Sequence, residues 1–314
     1  MREVIHIFVG EFSYAMNWMA PLMHEHFQTL KDTKKIIVSY AANEMLYRHF
    51  CDEFISLPLE ITDKLTNPSP VGDSRYGAVT PDFVIEYYKK LYPNADIITL
   101  PRLDGWANQQ SPDGIYNHLV PANEVKQEIK FFLEGFEKDR TITIMPKIRM
   151  RETHYTSGIF DLPHEQNWDV DNWVGLVNNL IKDGFNVVSL HMDQVGARGG
   201  SLLLPIKDPN FRELNIDLNS KYALDRQSWI LKSTLCSIYG STGAHCLPFW
   251  INTPVYAIIL SKYYNRSFFD WQKRLTNNHK NNKIISVEDF SKCHYNDIYS
   301  DIITYIQDIM KKWR

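Results

Sequence analysis

Ser237-Ile238-Tyr239-Gly240-Ser241-Thr242-Gly243-Ala244-His245 reads as a short apolar strand, a small polar turn and the start of a helix expected over residues 242–250. Free backbone N–H groups at a helix start attract an anion, and the helix dipole adds to that attraction. Gly243 permits close backbone approach. Ser241 and Thr242 supply hydroxyl donors for phosphate oxygens. Ser and Thr are also ordinary helix caps, and Gly an ordinary turn residue, so the turn needs company before it means a phosphate site.

The same alternation of strand and helix recurs on both sides of this stretch. Upstream, Thr141 to Met145 is a β-branched run ended by Pro146. Trp173, Leu176, Val177, Leu180 and Ile181 share a helical face, and Asp183-Gly184 ends that helix. Asn186 to Leu190 is the next strand, and residues 224–235 a helix. Downstream, Val255 to Leu260 is a further strand. Ile298, Ile302, Tyr305, Ile306, Ile309, Met310 and Trp313 form the stripe of a closing amphipathic helix.

An earlier series has the same form. Val4 to Val9, Lys35 to Tyr40, Phe54 to Leu57 and Asp96 to Leu100 read as strands. Residues 14–30, 43–50 and 81–91 read as helices, with a kink or late start at Pro21, Asn43 as a cap and Pro81 in a first turn. Residues 59–79 read as a long loop, and residues 123–138 as a charged helix between the two series. Alternating strands and helices define an α/β protein with parallel sheets. The boundaries predicted are residues 1–134, residues 135–290, and a final helix at 291–314 that packs back on the first domain.

Composition narrows the partners. The 314 residues are 44% hydrophobic, 23% charged and 13% aromatic, with a net charge of -3. That length suits about two domains, and the charge gives no footprint for a nucleic-acid duplex. Cys51, Cys236, Cys246 and Cys293 form no CxxC pair, which predicts free buried thiols rather than a zinc site or a disulfide scaffold. Neither a signal peptide nor a run of about 20 apolar residues occurs, so a cytoplasmic location is expected.

A second polar segment follows the strand at 141–145. In Pro146-Lys147-Ile148-Arg149-Met150-Arg151 three cations alternate and would project to one side of an extended chain. Ligands of open α/β sheets sit outside the carboxyl ends of the strands, and arginine forks suit phosphate oxygens. Taken with the turn at 240–243, this predicts a diphosphate site.

These segments, with Asn167-Trp168-Asp169-Val170-Asp171-Asn172-Trp173 and Asn252-Thr253-Pro254-Val255-Tyr256-Ala257, resemble the heptosyltransferase-type GT-B glycosyltransferases over residues 140–260. The shared signals are a strand-end phosphate loop, a Trp-x-x-x-x-Trp helix start, a Ser-x-x-x-His helix start and a Thr-Pro-Val strand entry. Cys236-Ser237-Ile238-Tyr239-Gly240 departs from that pattern, having no acidic residue before the turn.

The resemblance implies two Rossmann-like domains facing a central cleft. It implies transfer of a sugar from a nucleotide-diphosphate donor to an acceptor hydroxyl, inverting and without metal or other cofactor. The carboxyl half would hold the donor, through Lys147, Arg149, Arg151, Ser241, Thr242, Gly243 and His245. The amino half would hold the acceptor and supply the catalytic acid group after its first strand, here Glu11. An inverting transfer needs a base within reach of the acceptor hydroxyl. Asp104 also follows a strand and is the other candidate. His191 and Asp193, after the strand at 186–190, could touch base or ribose.

The acceptor stays open between a glycan, a lipid-linked sugar, a protein and a modified nucleic acid. A sugar-nucleotide epimerase of the same fold and a non-catalytic nucleotide-sugar-binding protein are the alternatives. The turn after Val9 lacks GxGxxG and no GxxxxGK[ST] occurs, which disfavours a dehydrogenase and a P-loop nucleotidase.

Overall fold

A computed structural model describes residues 2–10, 15–65, 80–99, 119–148, 168–192, 200–217, 220–240, 246–261 and 281–313. The chain divides into two compact units. The first comprises Met1–Ala122 with Leu218–Asp225, the second Asn123–Asp217 with Arg226–Arg314.

The first unit contains β1 (Arg2–Ile7), α1 (Ala20–Thr29), β2 (Thr33–Ser39), α2 (Glu44–Tyr47), β3 (Glu53–Ser56), α3 (Leu59–Thr62), α4 (Asp82–Leu91) and β4 (Asp96–Ile98). Its sheet has the order β3-β2-β1-β4, every pair parallel. Side chains alternate across a strand. Ile5, Ile7 and Val9 therefore join Ile36, Val38, Val84 and Tyr88 in one core cluster, while His6 faces away from it and meets Phe27 of α1, ring centroids 4.9 Å apart.

Pro21 acts as a late helix start. A π-helical turn at Ala15–Met19 precedes α1, and the proline occupies its first turn, where no N–H is needed. Asn43 stands at the N-cap position of α2 but does not cap it, since its side-chain amide donates to Ser39 Oγ at 3.3 Å. Pro81 precedes α4 rather than opening it, and α3 is a single turn within the stretch expected to be loop.

His6 is a buried, neutral histidine. Burial, then the neighbouring His26 whose Nδ1 lies 2.8 Å from its Nε2, pull it from 6.5 to about 3. Below pH 6.5 the unfolded chain takes up a proton that the folded chain refuses. Stability should therefore fall by about 1.4 kcal/mol per pH unit from 6.5 towards 3, and be unaffected by this group above 6.5. Urea unfolding at pH 7 and pH 5 should show a loss of roughly 2 kcal/mol in the parent chain that His6→Gln abolishes. An unchanged pH dependence in His6→Gln would exclude this source.

The second unit contains α5 (Lys126–Phe132), β5 (Thr141–Met145), β6 (Lys147–Ile148), α6 (Val170–Lys182), β7 (Asn186–Met192), β8 (Gly200–Ser201), β9 (Phe211–Ile216), α7 (Ala223–Lys232) from Arg226 onward, β10 (Cys236–Tyr239), α8 (Cys246–Trp250), β11 (Val255–Leu260), β12 (Lys283–Val287) and α9 (Tyr295–Trp313). Six strands form one sheet in the order β12-β11-β10-β5-β7-β9, all parallel. The chain moves outward from β5 to β9, then returns to the other side of β5 with β10. That is the doubly wound order, with its switch point between β5 and β10.

One face of this sheet, including Ile142, Ile144, Val187, Ile238 and Tyr256, is covered by the apolar stripes of α6 and α9. Trp173, Leu176, Val177 and Leu180 are buried on α6, and Ile302, Tyr305, Ile306 and Ile309 on α9. Each such side chain is worth roughly 1.5–3 kcal/mol of transfer free energy. The Asp169 carboxylate caps α6 by accepting from the Asn172 N–H at 2.8 Å, and Gly184 ends its turn at φ +88°. Gly175 lets the two helices close up, because a Cβ there would lie 2.2 Å from the Tyr295 ring. Tyr256 donates to Asp301 at 2.6 Å and Tyr299 to Asp183 at 2.7 Å, which fixes the register of α9.

The charged helix between the two strand series is shorter than expected. It is a 3-10 turn at Asn123–Val125 followed by α5, and Gly135 at φ +81° lies beyond its end. Among the described residues no helix is long and apolar enough to cross a membrane. Cys51, Cys236 and Cys293 are free thiols. Cys236 is buried, while the other two are half-buried.

Candidate functional site

Parallel strands bring their carboxyl ends to one edge of a sheet, and register decides which ends are neighbours. In the second unit Tyr239 pairs with Met145, so β10 and β5 finish level and side by side, roughly 4.8 Å apart. Gly240 follows one end, and Pro146 with Lys147 follows the other. On the far side of β5, Ile144 pairs with Ser189 of β7. Strand β7 runs on to Met192, so His191 lies inside the strand, level with Asn215, rather than after it.

The segment after β5 stays extended. Lys147–Ile148 pairs antiparallel with Gly200–Ser201, and the Leu202 N–H donates to the Pro146 carbonyl at 2.8 Å. Sequence reading did not find this small ladder. Its signal was the pair Gly199-Gly200, which suits close backbone approach.

Beneath the end of β10 the two tryptophans of the Trp-x-x-x-x-Trp motif form an aromatic floor. Trp168 and Trp173 are buried and meet edge to face at 5.2 Å. Trp168 donates its Nε1–H to the Cys293 carbonyl at 2.7 Å. A Cβ at Gly240 would lie 3.7 Å from Trp173 and 3.8 Å from Phe290, both ordinary contacts. The motif therefore seats the start of α6 and supports the strand end.

The first sheet repeats the pattern. Strands β2 and β3 lie to one side of β1 and β4 to the other, with His6 level with Ile98. Glu11 lies four residues past the end of β1 and Asp104 six past the end of β4, so the two carboxylate candidates follow the two strands that flank this sheet's switch point. Buried Thr80 donates to the Ile7 carbonyl at 3.0 Å and closes the end of β1.

Of the candidate residues, Glu11, Asp104, Arg149, Arg151, Asp193, Ser241, Thr242, Gly243 and His245 lie outside the described residues, as do the side chains of Lys147 and His191. What is described is the frame that carries them. Within that frame Cys236 offers no nucleophile, since burial pushes its thiol up to about 12. Burial likewise raises the buried Tyr239 phenol.

No protein-family model matches the chain, and no curated protein sequence does either. Its two parallel α/β units have the fold of the GT-B glycosyltransferases. Over 98% of its length the chain is similar to the E. coli ADP-heptose LPS heptosyltransferase II, at 12% identity and a TM-score of 0.59, with 99% of that chain covered. It is likewise similar to the glycosyl transferase family 9 protein of Veillonella parvula DSM 2008, at 11% identity and a TM-score of 0.57, with coverage of 98% of this chain and 97% of that one. At these identities the likeness is one of fold.

Proposed function

We propose that this chain is a glycosyltransferase that moves a sugar from a nucleotide-diphosphate donor to an acceptor hydroxyl, with inversion and without a metal. The observation that most supports this is the level, adjacent ending of β5 and β10 at the switch point of the second sheet. The basic segment and the Ser-Thr-Gly turn both grow from that point.

In this reading residues 135–290 hold the donor and residues 1–134 the acceptor. Glu11 accepts the proton of the acceptor hydroxyl, with Asp104 as the alternative. The freed oxygen attacks the anomeric carbon from the face opposite the leaving group, and the bond to the diphosphate breaks. The charge that develops on the departing phosphate is met by Lys147, Arg149 and Arg151, by the hydroxyls of Ser241 and Thr242, and by backbone N–H groups around Gly243 and His245. Preorganised donors of this kind can do the work of a metal ion. His191, near the end of β7, is placed in this scheme for the nucleotide base or ribose.

The E. coli neighbour is named for ADP-heptose, which puts an ADP-linked sugar first among donors. A thermal-shift screen of ADP, UDP, GDP and CMP tests the reading. One diphosphate nucleotide should raise the melting temperature, since ligand at 100 times its Kd stabilises by about 2.7 kcal/mol. A flat response to all four, and to ADP-sugars, would remove the proposal. Incubation of the bound donor with glycan, lipid-linked, protein and nucleic-acid acceptors would then identify the acceptor class.

A further inference from the structure

The opposite, amino-terminal edge of the second sheet holds a cavity that the proposed reaction leaves unused. It lies among residues that precede β5, β10 and β11 and has a volume of about 350 Å³. Lys138, Lys232, Thr234, Asn252, Thr253 and Trp313 are among its lining residues, and none of the described lining residues is acidic. Strand β5 spans five residues, so this edge is roughly 17 Å from the carboxyl ends. A ligand here would not touch the strand ends that lead to the diphosphate loops.

Lys138 Nζ stands 4.3 Å over the Trp313 ring, and neither Lys138 nor Lys232 forms an ion pair among the described residues. Desolvation by the surrounding protein lowers both ammonium groups below the ordinary lysine value. The hydroxyls of Thr234 and Thr253 both donate to the Leu231 carbonyl, at 3.1 Å and 3.0 Å, so that acceptor near the end of α7 is already served without the lysines. The helices α7, α8 and α9 all end at this edge, and their negative ends offset part of the charge on the two lysines without supplying a carboxylate. Trp313 is 47% exposed, which is unusual for so large an apolar ring.

Two lysines with no carboxylate partner among the described residues, beside an accessible indole, define what would fit. We propose that this cavity is a second binding site, taking a small ring compound that carries a phosphate or a carboxylate. Lys138 and Lys232 hold the anionic group, and the indole of Trp313 carries the ring. Asn252, exposed and in the left-handed region at φ +58°, presents an amide to ring hydroxyls.

Fluorine NMR of the full chain labelled with 5-fluorotryptophan tests this at low salt, with Trp313→Phe assigning the resonance. Glucose 6-phosphate or glucuronate should shift the Trp313 signal saturably, and neutral glucose should not. A response to the first alone assigns phosphate, and a response to the second alone assigns carboxylate. Lys138→Gln combined with Lys232→Gln should weaken binding at least tenfold while leaving the other tryptophan signals in place, and Ser241→Ala should leave it unchanged. Inorganic phosphate acting as strongly as both ring compounds would overturn the ring assignment. Silence of Trp313 towards every anion, or equal affinity in the double variant, would overturn the site.

Discussion

Replacing Glu11 with Gln is expected to lower sugar transfer by about 10²–10⁴-fold, the usual contribution of a positioned general base, while leaving nucleotide affinity within about twofold. Glutamine keeps the size and hydrogen-bonding reach of the side chain but cannot take the proton of an acceptor hydroxyl. The donor is assigned to the second unit, so its binding should not sense the change. Transfer of a labelled sugar and calorimetric titration of the nucleotide read the two effects separately. Asp104→Asn belongs in the same experiment, because Asp104 follows β4 on the other side of the first sheet's switch point. A Glu11→Gln chain that turns over within a few-fold of the parent would remove Glu11 from the chemistry. A collapse in Asp104→Asn alone would move the base there.

The second large effect is expected on binding. Arg149→Ala and Ser241→Ala should each weaken nucleotide-diphosphate binding, with arginine the larger loss at about 10–100-fold. A hydrogen bond to a charged group contributes roughly 1.5–3 kcal/mol, and a neutral hydroxyl donating to phosphate sits near the lower end. Because the two residues follow adjacent strands, their effects should couple. The double variant should lose less than the product of the single losses, as happens for groups on one ligand. Strict additivity would show that the two residues act independently, and normal affinity in Arg149→Ala would place that cation away from the diphosphate. Measurements at several salt concentrations add a check, since a cation–phosphate contact weakens as ionic strength rises.

Most of the strands readable in the sequence have two buried faces, although β3 and β4, the edges of the first sheet, were also readable from Phe54-Ile55 and Ile97-Ile98. Strands β1, β2, β5, β7, β10 and β11 lie inside their sheets or carry continuous apolar runs such as Val255 to Leu260, every residue of which is buried. Strands β9 and β12 escaped notice because they are the two edges of the second sheet. Phe-Arg-Glu-Leu-Asn-Ile buries only its first and last residues, and Lys-Ile-Ile-Ser-Val none fully. These two edge strands carry polar residues of the kind that resist pairing with other chains, and lose the apolar signature in doing so.

The site was legible as position more than as geometry. Pro146 after Met145 and Gly240 after Tyr239 marked two strand ends from composition alone. That the two ends are neighbours depends on the crossover that takes β10 to the far side of β5, which no local pattern encodes. The two tryptophans at 168 and 173 carry a family-like spacing but serve as packed floor. The cavity at Lys138, Lys232 and Trp313 gathers residues remote in sequence, and no spacing announced it.

In the proposed reaction the segments leaving β5 and β10 grip one diphosphate between them, and a crystal structure of the chain with the nucleotide diphosphate that binds best is the decisive experiment. The diphosphate should lie at the carboxyl edge of the second sheet, within hydrogen-bond distance of both Arg149 and Thr242. A diphosphate held elsewhere, or touched by only one of those segments, would contradict it.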